Sequence, residues 1–452
     1  IDGNKLSICG VHLETLRIDG ISAHLIFNDV NESGSINCLD TLNLGLELKN
    51  MPYLLMENAN VIDAVVSCIE FTNCIGKTVN TTVSGSGNQG LQHLSDNTIE
   101  HENVIAFDCI DDGISSHENG KITVNGTGSF SNCDAGINII DTSEVTISGS
   151  YTFSNNIYDI WAANAATNES CIITANGCNF PNQVLASNGA KVILNNCTAT
   201  DVVLQEGALK GFLTANTSVL TSLKTLANIA NLNNCTIKDI KTIQSSGVVE
   251  INNSYVKPIG VFDNFGTLRL LRTLWDSADC TDHSIDLNSG ATLSVINSVI
   301  YRPISNKFAL SIRTGSTVEA LNNSNIIGVG NVGRGILTQI ALTARNLIVN
   351  NLNNAFNVSS GITFNLQNSC VFNNTSLNGG AGTLTQTASQ NTNPLFVNAT
   401  ILDFNLQVGS ACIGNGQTLT ENIAIDSAVW TTNPPTIVTA NQGTNWNIGV
   451  YV

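Results

Sequence analysis

One spacing of 23 residues recurs along the first half of the chain and constrains its fold more than any other feature. Two series of apolar residues share this step: Leu91, Ile114, Ile137 and Ile160, and Phe107, Phe130 and Phe153. Each unit has short Val/Ile strands of alternating polarity and Gly/Asn/Ser corners, without a crossover helix. Such a unit is typical of one coil of a parallel β-helix, whose coils stack about 4.8 Å apart. We therefore predict an all-β solenoid in which both series are internal ladders.

Composition agrees with this fold and excludes several functions. Charged residues make up only 12% of the chain, and 35 acids against 18 bases give a net charge of −17. Without a basic stripe to follow a phosphate backbone, nucleic acid is not an expected partner. No apolar run approaches the roughly 18 residues of a membrane span. A neutral or weakly charged glycan is an easier ligand for an acidic surface than a strongly anionic one.

The cysteines point to a reducing site of folding. There are 13 of them, an odd number, and no CxxC pair occurs. A zinc ribbon or a complete disulfide framework is therefore not expected, and most cysteines should be buried thiols. This usage fits an intracellular protein or a virus particle assembled in the cell. Because the chain starts at Ile1 without a Met or a signal peptide, we expect it to be a fragment.

The C-terminal region carries the most specific resemblance to a known family. The stretch NPLFVNATILDFNLQVGSACIGNG (Asn393 to Gly416) and the ending WNIGVYV (Trp446 to Val452) match the closing pattern of many parallel β-helix proteins. With the repeats, the chain resembles right-handed parallel β-helix proteins of the pectate-lyase-like superfamily, although Asn393 and Asn447 stand where acids are usual. The resemblance implies a right-handed parallel β-helix over residues 1–390, followed by a last coil and C-terminal cap over residues 391–452.

This superfamily is dominated by proteins that bind or cleave polysaccharides, including lyases, glycosidases and virus tailspikes. The resemblance implies a surface glycan as partner, no required cofactor, and a glycoside hydrolase or polysaccharide lyase activity. The fragment-like start and unpaired cysteines favour a phage tailspike or tail-appendage subunit, in a virion tail or acting outside the cell. A tailspike would be a homotrimer. The alternatives are a non-catalytic structural or adhesive β-helix and a secreted bacterial lyase, which a signal peptide upstream of Ile1 would distinguish.

The stretch FDCIDDGISSHENG, Phe107 to Gly120, is the leading candidate for a catalytic site. At the 23-residue step Asp111 falls on Asp134, so the two carboxylates should lie on neighbouring coils, about 4.8 Å apart at the backbone. Carboxylates this close cannot both ionise cheaply, which provides an acid beside a base or nucleophile, or a calcium site. We expect Asp111, Asp112 and Asp134 to be catalytic, with His117 as an auxiliary proton carrier.

The strand after this corner predicts a sugar-binding surface. With Ile114 inward, Ser115 points outward, and the same step brings Asn138 and Trp161 beside it. An indole among hydroxyl and amide groups suits a sugar ring, whose C–H face stacks on the aromatic. The alternative is that the aspartates only cap turns, as Asp commonly does. The DDG motif resembles that of polygalacturonase-like glycosidases, but their third Asp and later motifs are absent. A lyase would lack a nearby cation other than Lys121.

A second acidic cluster, LWDSADCTDHSID, runs from Leu274 to Asp286. Asp276, Asp279 and Asp282 are spaced by three residues, and such acids are candidate ligands for Ca²⁺, although the spacing is not that of an EF-hand. A solvated acidic loop is the alternative. The cations around this cluster make it the rival site for an anionic sugar: Arg269, Arg272, Arg302, Lys307 and Arg313.

Overall fold

The computed structural model describes residues 46–420 apart from 166, 206, 226, 227 and 242, together with residues 424–430, 435–440, 446–450 and the backbone of four short strands before residue 46. The fold is a parallel β-solenoid of about 15 turns, with coils of about 23 residues. This confirms the predicted all-β fold class. The chain divides into two compact units, Ile1–Thr214 and Ala215–Val452. In the described part, the one helical element is a 3₁₀ turn at Ala399–Ile401.

Unit 1 contains two rows of parallel strands, which we call sheet A and sheet B. The sheet A strands are Lys5–Leu6, His24–Phe27, Ile36–Asn37, Tyr53–Glu57, Asn60–Ile62, Ile75–Ser84, Thr98–Phe107, Lys121–Asn125, Thr127–Ser131, Glu144–Ser148, Ser150–Ser154, Ile172–Asn176 and Lys191–Asn195. The sheet B strands are Leu16–Asp19, Leu46–Lys49, Ile69–Thr72, Leu91–Leu94, Asp112–Ser116, Ala135–Asp141, Tyr158–Ala165, Asn179–Ser187 and Thr198–Gln205. The sheet A strand Phe212–Asn216 includes the boundary between the units.

Unit 2 has the same two rows and a third, sheet C. Its sheet A strands are Ile229–Asn233, Val248–Asn252, Thr267–Leu271, Thr292–Ile296, Thr317–Asn322, Leu342–Arg345, Thr363–Gln367 and Thr383–Thr387. Its sheet B strands are Val219–Thr225, Thr236–Ile237, Tyr255–Val256, Leu274–Asp276, Val299–Tyr301, Asn325–Ile327, Ile348–Asn350 and Cys370–Phe372. Sheet C consists of Asp263–Asn264, Ile285–Leu287, Phe308–Ile312, Arg334–Thr338, Asn354–Val358 and Ser376–Asn378.

The first predicted ladder is confirmed. Leu91 pairs with Ile114, Ile114 with Ile137 and Ile137 with Ile160, and all four side chains are fully buried. These residues point into the solenoid because they alternate with outward-facing residues along each sheet B strand. The 23-residue step therefore sets the register of sheet B in this region.

The second predicted ladder is wrong at its first step. Phe130 pairs with Phe153 as expected, but its partner in the preceding coil is Ala106, whereas Phe107 pairs with Ser131. The offset between these two coils is 23 residues from Thr98 to Glu102, becomes 24 from Ile105 to Phe107, and returns to 23 at Asp112. The later coil thus holds one extra residue between Asn125 and Ser129, so Phe130 takes the row of Ala106 and Phe107 is left out of the core ladder. The ladder continues instead to Phe180, whose ring centroid lies 5.0 Å from that of Phe153.

Asparagine side chains organise the corners between strands. Asn58, Asn80 and Asn103 have φ values of 55°, 54° and 59°, in the left-handed region that Asn tolerates better than most residues. Their amides also form a ladder, because Asn80 donates to Asn58 at 2.8 Å and Asn103 donates to Asn80 at 2.9 Å. The same arrangement recurs at two other sets of corners, Asn132 with Asn155, and Asn297 with Asn323 and Asn346. A similar amide ladder, without the left-handed backbone, joins the strand ends Asn216, Asn233 and Asn252. The abundance of Asn thus follows from the geometry of stacked corners.

Two histidines lie inside the core of unit 1. His101 occupies the row of Val124 and is fully buried. Its Nε2 lies 3.0 Å from Nε2 of His93, and its Nδ1 lies 2.6 Å from the Thr78 hydroxyl. The His93 ring stacks on Phe71 at a centroid distance of 4.7 Å. Burial lowers the pKa of His101 to about 3 and that of His93 well below its usual range.

The C-terminal segment covers the outward side of sheet B in unit 2. It contains two antiparallel pairs, Phe396–Asn398 with Asp403–Leu406 and Ala424–Val429 with Thr436–Ala440. Phe404, Trp430 and Val450 pack with residues of three coils, including Leu274, Val299 and Ile327, and Cys412 and Ile448 pack against Ile348 and Cys370. The C-terminal segment therefore packs along the side of several coils and buries an apolar cluster against sheet B of unit 2.

The two asparagines that replace the usual acids of the closing pattern keep the acceptor role of a carboxylate. Asn393 Oδ1 accepts from the Leu395 backbone N–H at 3.0 Å, and Asn447 Oδ1 accepts from Gly414 at 2.9 Å. A side-chain oxygen is what these turns require, and an amide supplies it without a charge. The predicted boundary between residues 390 and 391 stays a prediction, since both sides of it lie in unit 2.

Every described cysteine is buried with a free thiol, as expected, whereas Cys9 and Cys38 lie outside the described residues. Among the described residues no helix is both long and apolar enough to cross a membrane.

The corner ladder predicts an effect for substitutions of Asn80. Asn80→Ala should lower the free energy of unfolding by about 1–3 kcal/mol, because Ala disfavours the left-handed backbone and two amide hydrogen bonds are lost. Asn80→Gly should lower it less, since Gly adopts this backbone without strain. Urea unfolding followed by circular dichroism measures both variants. If Asn80→Gly lowers the free energy of unfolding as much as Asn80→Ala does, tolerance of the left-handed backbone is not the reason for Asn at this position.

The buried histidine pair predicts acid sensitivity. Both pKa values are depressed in the folded chain, so as pH falls below about 6.5 the unfolded chain binds protons that the folded chain cannot, and stability is lost. Between pH 7.5 and 5.5 the pair should cost about 3 kcal/mol. A His93→Leu/His101→Val double variant should lose this component, and His117→Gln, outside the core, should retain it. Equal pH dependence of wild type and double variant in urea unfolding would contradict the assignment.

Candidate functional site

The predicted sugar-binding residues form a row on the outward side of sheet B in unit 1. Ser115 pairs with Gln92 on one side and with Asn138 on the other, and Asn138 pairs with Trp161. Asp112 starts the strand Asp112–Ser116 at the edge of this row. We call this surface, made of Gln92, Asp112, Ser115, Asn138, Tyr158 and Trp161, the sheet B patch. The structure thus brings together all three predicted sugar-binding residues.

The glycine of the DDG motif is explained by the core. A Cβ at Gly113 would lie 2.9 Å from the ring of Phe130 and 2.7 Å from the carbonyl oxygen of Gly136. Neither contact is tolerable for a real side chain, so this position must be glycine to let the phenylalanine ladder approach sheet B. Gly136 has the same relation to Phe153, at 2.9 Å. The conspicuous motif is therefore partly a packing requirement, and its chemistry rests on the aspartates.

Asp112 is a fully buried carboxyl group. Its Oδ2 accepts a hydrogen bond of 2.9 Å from the Asn138 amide. Burial, and next the charge of Asp111, raise the pKa of Asp112 to about 7, and the neighbouring Asn138 and Ser115 only partly oppose this rise. Near neutral pH the group is therefore divided between its protonated and ionised forms, as a proton carrier requires. Because the side chain has no exposed surface, a ligand can reach it only through the groups that cover it.

Asp111 and Asp134 lie on neighbouring coils, as predicted. The Asp134 backbone N–H donates to the Asp111 carbonyl at 2.6 Å, and both side chains are partly exposed. Burial, followed by the charge of Asp111, raises the pKa of Asp134. The Asp111 carboxylate accepts a hydrogen bond of 2.9 Å from Gln89, which in turn accepts from Ser67 at 3.1 Å. The pair therefore has one carboxylate held by a fixed donor, Asp111, and another whose pKa is raised, Asp134.

Ser115 and His117 connect the buried carboxyl group to the surface. The Ser115 hydroxyl lies 3.1 Å from Nε2 of His117, and the imidazole is partly exposed whereas Ser115 is buried. Burial lowers the pKa of His117, so the ring is mostly neutral at pH 7 and able to accept a proton. The sequence Asp112, Ser115, His117 thus places a buried acid, a hydroxyl and an imidazole along one strand end.

The aromatic part of the patch is larger than predicted. Tyr158 packs against Trp161 with ring centroids 5.0 Å apart and planes at 40°, and both rings are partly exposed. The sequence contained a signal for Tyr158, because the step that aligns Asp112 with Ala135 also aligns Ala135 with Tyr158. The tilted pair forms an apolar surface beside the amide and hydroxyl groups of the row.

Three polar atoms of the patch have no hydrogen-bond partner among the described residues. They are Oδ1 of Asp112, Oδ1 of Asn138 and Nε1 of Trp161. An unsatisfied buried polar atom typically costs about 1–3 kcal/mol, so three of them within one row are an expensive arrangement. Such costs are often retained where a protein binds a ligand or carries out chemistry.

The acidic cluster of unit 2 has a different role. Asp276 is fully buried and accepts from the Arg302 guanidinium and the Tyr255 hydroxyl. Asp279 pairs with Lys257 at 2.7 Å, and Asp282 pairs with Lys307 at 2.7 Å. Within the described ranges, no group of three or more His, Cys, Asp or Glu residues is placed to hold a metal ion. The geometry thus gives the predicted calcium ligands separate cationic partners, and calcium binding stays a prediction without a site.

The cations around this cluster are likewise engaged. Arg269 binds Glu250 and Glu319, Arg313 binds Asp286, and Arg272 donates to Asn253. Because four of the five candidate cations are paired with carboxylates, the stretch does not present the open positive surface that an anionic sugar would need.

Comparisons with known proteins do not assign this chain to a family. No family model matches the sequence, and no curated protein is significantly similar to it. Any function proposed for this protein must therefore be inferred from the residues of the sheet B patch and their surroundings.

The buried position of Asp112 predicts a pH-dependent effect of Asp112→Asn. Because folding raises the pKa of Asp112 to about 7, its ionised form lowers the free energy of unfolding of the wild type. The wild type regains that free energy when the pH falls through 7 and the group takes up a proton. The Asn variant has no such gain. Its stability advantage over wild type should therefore be larger at pH 8 than at pH 6, by about 1.4 kcal/mol in urea unfolding. The same difference at both pH values would contradict the raised pKa.

Proposed function

We propose that this protein is a carbohydrate-binding β-solenoid whose glycan lies across the sheet B patch of unit 1. The observation that carries the proposal is the partly exposed Tyr158–Trp161 pair at the end of an uncharged polar row. A sugar ring presents C–H groups on its face and hydroxyls on its edge. The face stacks on the indole while hydroxyls exchange hydrogen bonds with Ser115, Asn138 and Gln92.

The glycan also supplies partners for atoms that lack them. Asn138 Oδ1 accepts a hydroxyl donor, and the Trp161 N–H donates to a hydroxyl oxygen once their side chains turn toward the ligand. Binding then recovers the free energy that the unbound patch loses to unsatisfied groups. This is the physical reason for expecting a polar ligand here, as opposed to an apolar one.

We further propose that the bound glycan is hydrolysed. Asp134, whose pKa is raised, would donate a proton to the leaving oxygen, and Asp111 would act as nucleophile or base. Their backbones are hydrogen-bonded across neighbouring coils, and we expect the carboxylates to approach the separation of about 5–5.5 Å typical of retaining glycosidases. Asp112 would exchange a proton with the surface through Ser115 and His117.

A lyase mechanism receives less support. Elimination from a uronate needs a cation to neutralise the carboxylate of the substrate. The sheet B strands from Leu91–Leu94 to Thr198–Gln205 contain no Lys or Arg, and Lys121 lies on sheet A opposite Glu144. A neutral glycan and hydrolysis are therefore the better fit to this surface.

We also propose a family for this protein, the compartment in which it folds and the site at which it acts. The closing pattern from Asn393 to Gly416 and the free buried thiols support a member of the pectate-lyase-like β-helix proteins that folds in a reducing compartment, as a phage tail appendage does. Recognition of a surface glycan outside the cell and assembly as a homotrimer are parts of this proposal. The alternative is a non-catalytic adhesive or structural solenoid, for which the patch binds without cleavage.

A glycan panel with matched variants tests the proposal. The wild-type protein should bind at least one neutral oligosaccharide, and Trp161→Ala should weaken binding by about tenfold or more, because aromatic stacking contributes about 1–3 kcal/mol. Trp446→Phe, in the C-terminal cover, is the control for loss of an indole elsewhere. Unchanged affinity of Trp161→Ala for every ligand would exclude the patch.

Cleavage is tested separately on the ligand that binds. New reducing ends should form with wild type, and Asp111→Asn or Asp134→Asn should reduce their rate at least 100-fold, the scale of a lost acid or base. Binding should survive both substitutions. If the ligand binds at the patch and no reducing ends appear, the protein is an adhesive solenoid and hydrolysis is excluded for that glycan.

A further inference from the structure

A groove lies at the corner that leads from sheet A to sheet B in unit 1. Its volume is about 520 Å³, and Ile110, Asp134 and Ile157 lie along it together with Asp108, Asn132 and Asn155. Asp134 belongs both to this corner groove and to the predicted catalytic pair beside the sheet B patch. The groove therefore borders the surface on which the glycan is proposed to lie.

An extra residue creates one wall of the corner groove. Phe107 pairs with Ser131 and Asp112 with Ala135, so the first coil has one residue more than the second between these pairs. That extra residue projects Ile110 into solvent, and its side chain is 76% exposed. One coil beyond Asp134, Ile157 is 63% exposed. Two isoleucines thus stand free on either side of Asp134, although nothing in the packing of the solenoid requires an apolar side chain at either position.

The polar groups of the corner groove are mainly acceptors. Asn132 already donates its amide to Asp108 at 2.8 Å, and Asn155 donates to Asn132 at 3.1 Å. Asp134 and Asp108 bring negative charge, and no Lys or Arg lines the groove. A uronate or another anion would be repelled here. A suitable ligand group brings an N–H or O–H donor for Asp134 and a small apolar part for the isoleucines.

We propose that the corner groove is a subsite for an N-acetylated amino sugar within a neutral glycan. The acetamido N–H donates to the carboxyl oxygen of Asp134 that does not carry the catalytic proton, and the acetyl methyl lies between Ile110 and Ile157. A hydroxyl at the same sugar position supplies a donor but no methyl, and an O-acetyl group supplies a methyl but no donor. The inference deepens the proposed function and rests on it, because the subsite extends the same glycan from the sheet B patch.

A matched pair of probes isolates the acetamido group. Triacetylchitotriose and cellotriose are both neutral β-1,4-linked trisaccharides that differ at the sugar C2 positions. Isothermal titration calorimetry with the full chain should give about tenfold tighter binding of triacetylchitotriose, the discrimination that one small apolar group in a pocket provides. Ile110→Ser and Ile157→Ser should each reduce this preference without changing the affinity for cellotriose.

Ile75→Ser is the matched control, since Ile75 is 52% exposed on sheet A of the same unit and should leave both affinities unchanged. Equal binding of the two probes, or a preference that persists in both isoleucine variants, overturns the subsite.

Trp161→Ala separates the two proposals. If the probes bind equally and Trp161→Ala weakens both, the patch stands and the subsite falls. If the preference depends on the isoleucines while Trp161→Ala leaves both affinities unchanged, a sugar binds at the corner groove alone, and the proposal that the glycan extends from the patch falls. Binding of neither probe counts against both.

Discussion

The stacking of one coil on the next is the constraint on which the remaining structure depends. Each coil satisfies its backbone groups through the coils on either side of it, and asparagines in the left-handed conformation turn the chain at the corners. Because the stacked amides hydrogen-bond to each other, a corner is stabilised by its position in a column. A side chain at one point in a coil is therefore placed beside its equivalents above and below, and residues 23 apart in sequence become neighbours. The candidate site is a direct product of this rule.

The same rule explains how much the sequence predicted. Where the coil length stays at 23 residues, the alignment placed Ile114 on Ile137 and Ser115 on Asn138, as the structure has them. The failure at Phe107 has one cause, an extra residue between Asn125 and Ser129 of the next coil, which a regular period cannot reveal because corners tolerate insertions without interrupting the strands around them. A compensating extra residue between Phe107 and Asp112 restores the period and lies at the corner groove, so the surface becomes distinctive where the register is corrected.

Charge and burial were harder to anticipate than register. The spacing of Asp276, Asp279 and Asp282 favoured shared calcium ligands. In the structure each of these carboxylates forms an ion pair with its own cation on a neighbouring coil. Asp112 was expected to be a catalytic carboxylate at a corner, but its complete burial depends on the side chains that surround it. Linear spacing does not encode these contacts, because they arise from side-chain conformations on several coils at once. Both cases show that a carboxylate in a solenoid is defined by the coils beside it.

The function proposed for this protein requires a glycan to lie on the sheet B patch of unit 1. The most direct measurement is a crystal structure of the full chain with an oligosaccharide that the protein binds in solution. We expect a sugar ring stacked on Trp161, with hydroxyls within hydrogen-bond distance of Ser115 or Asn138. A bound oligosaccharide that contacts neither Trp161 nor Asn138, at full occupancy elsewhere on the protein, would contradict it.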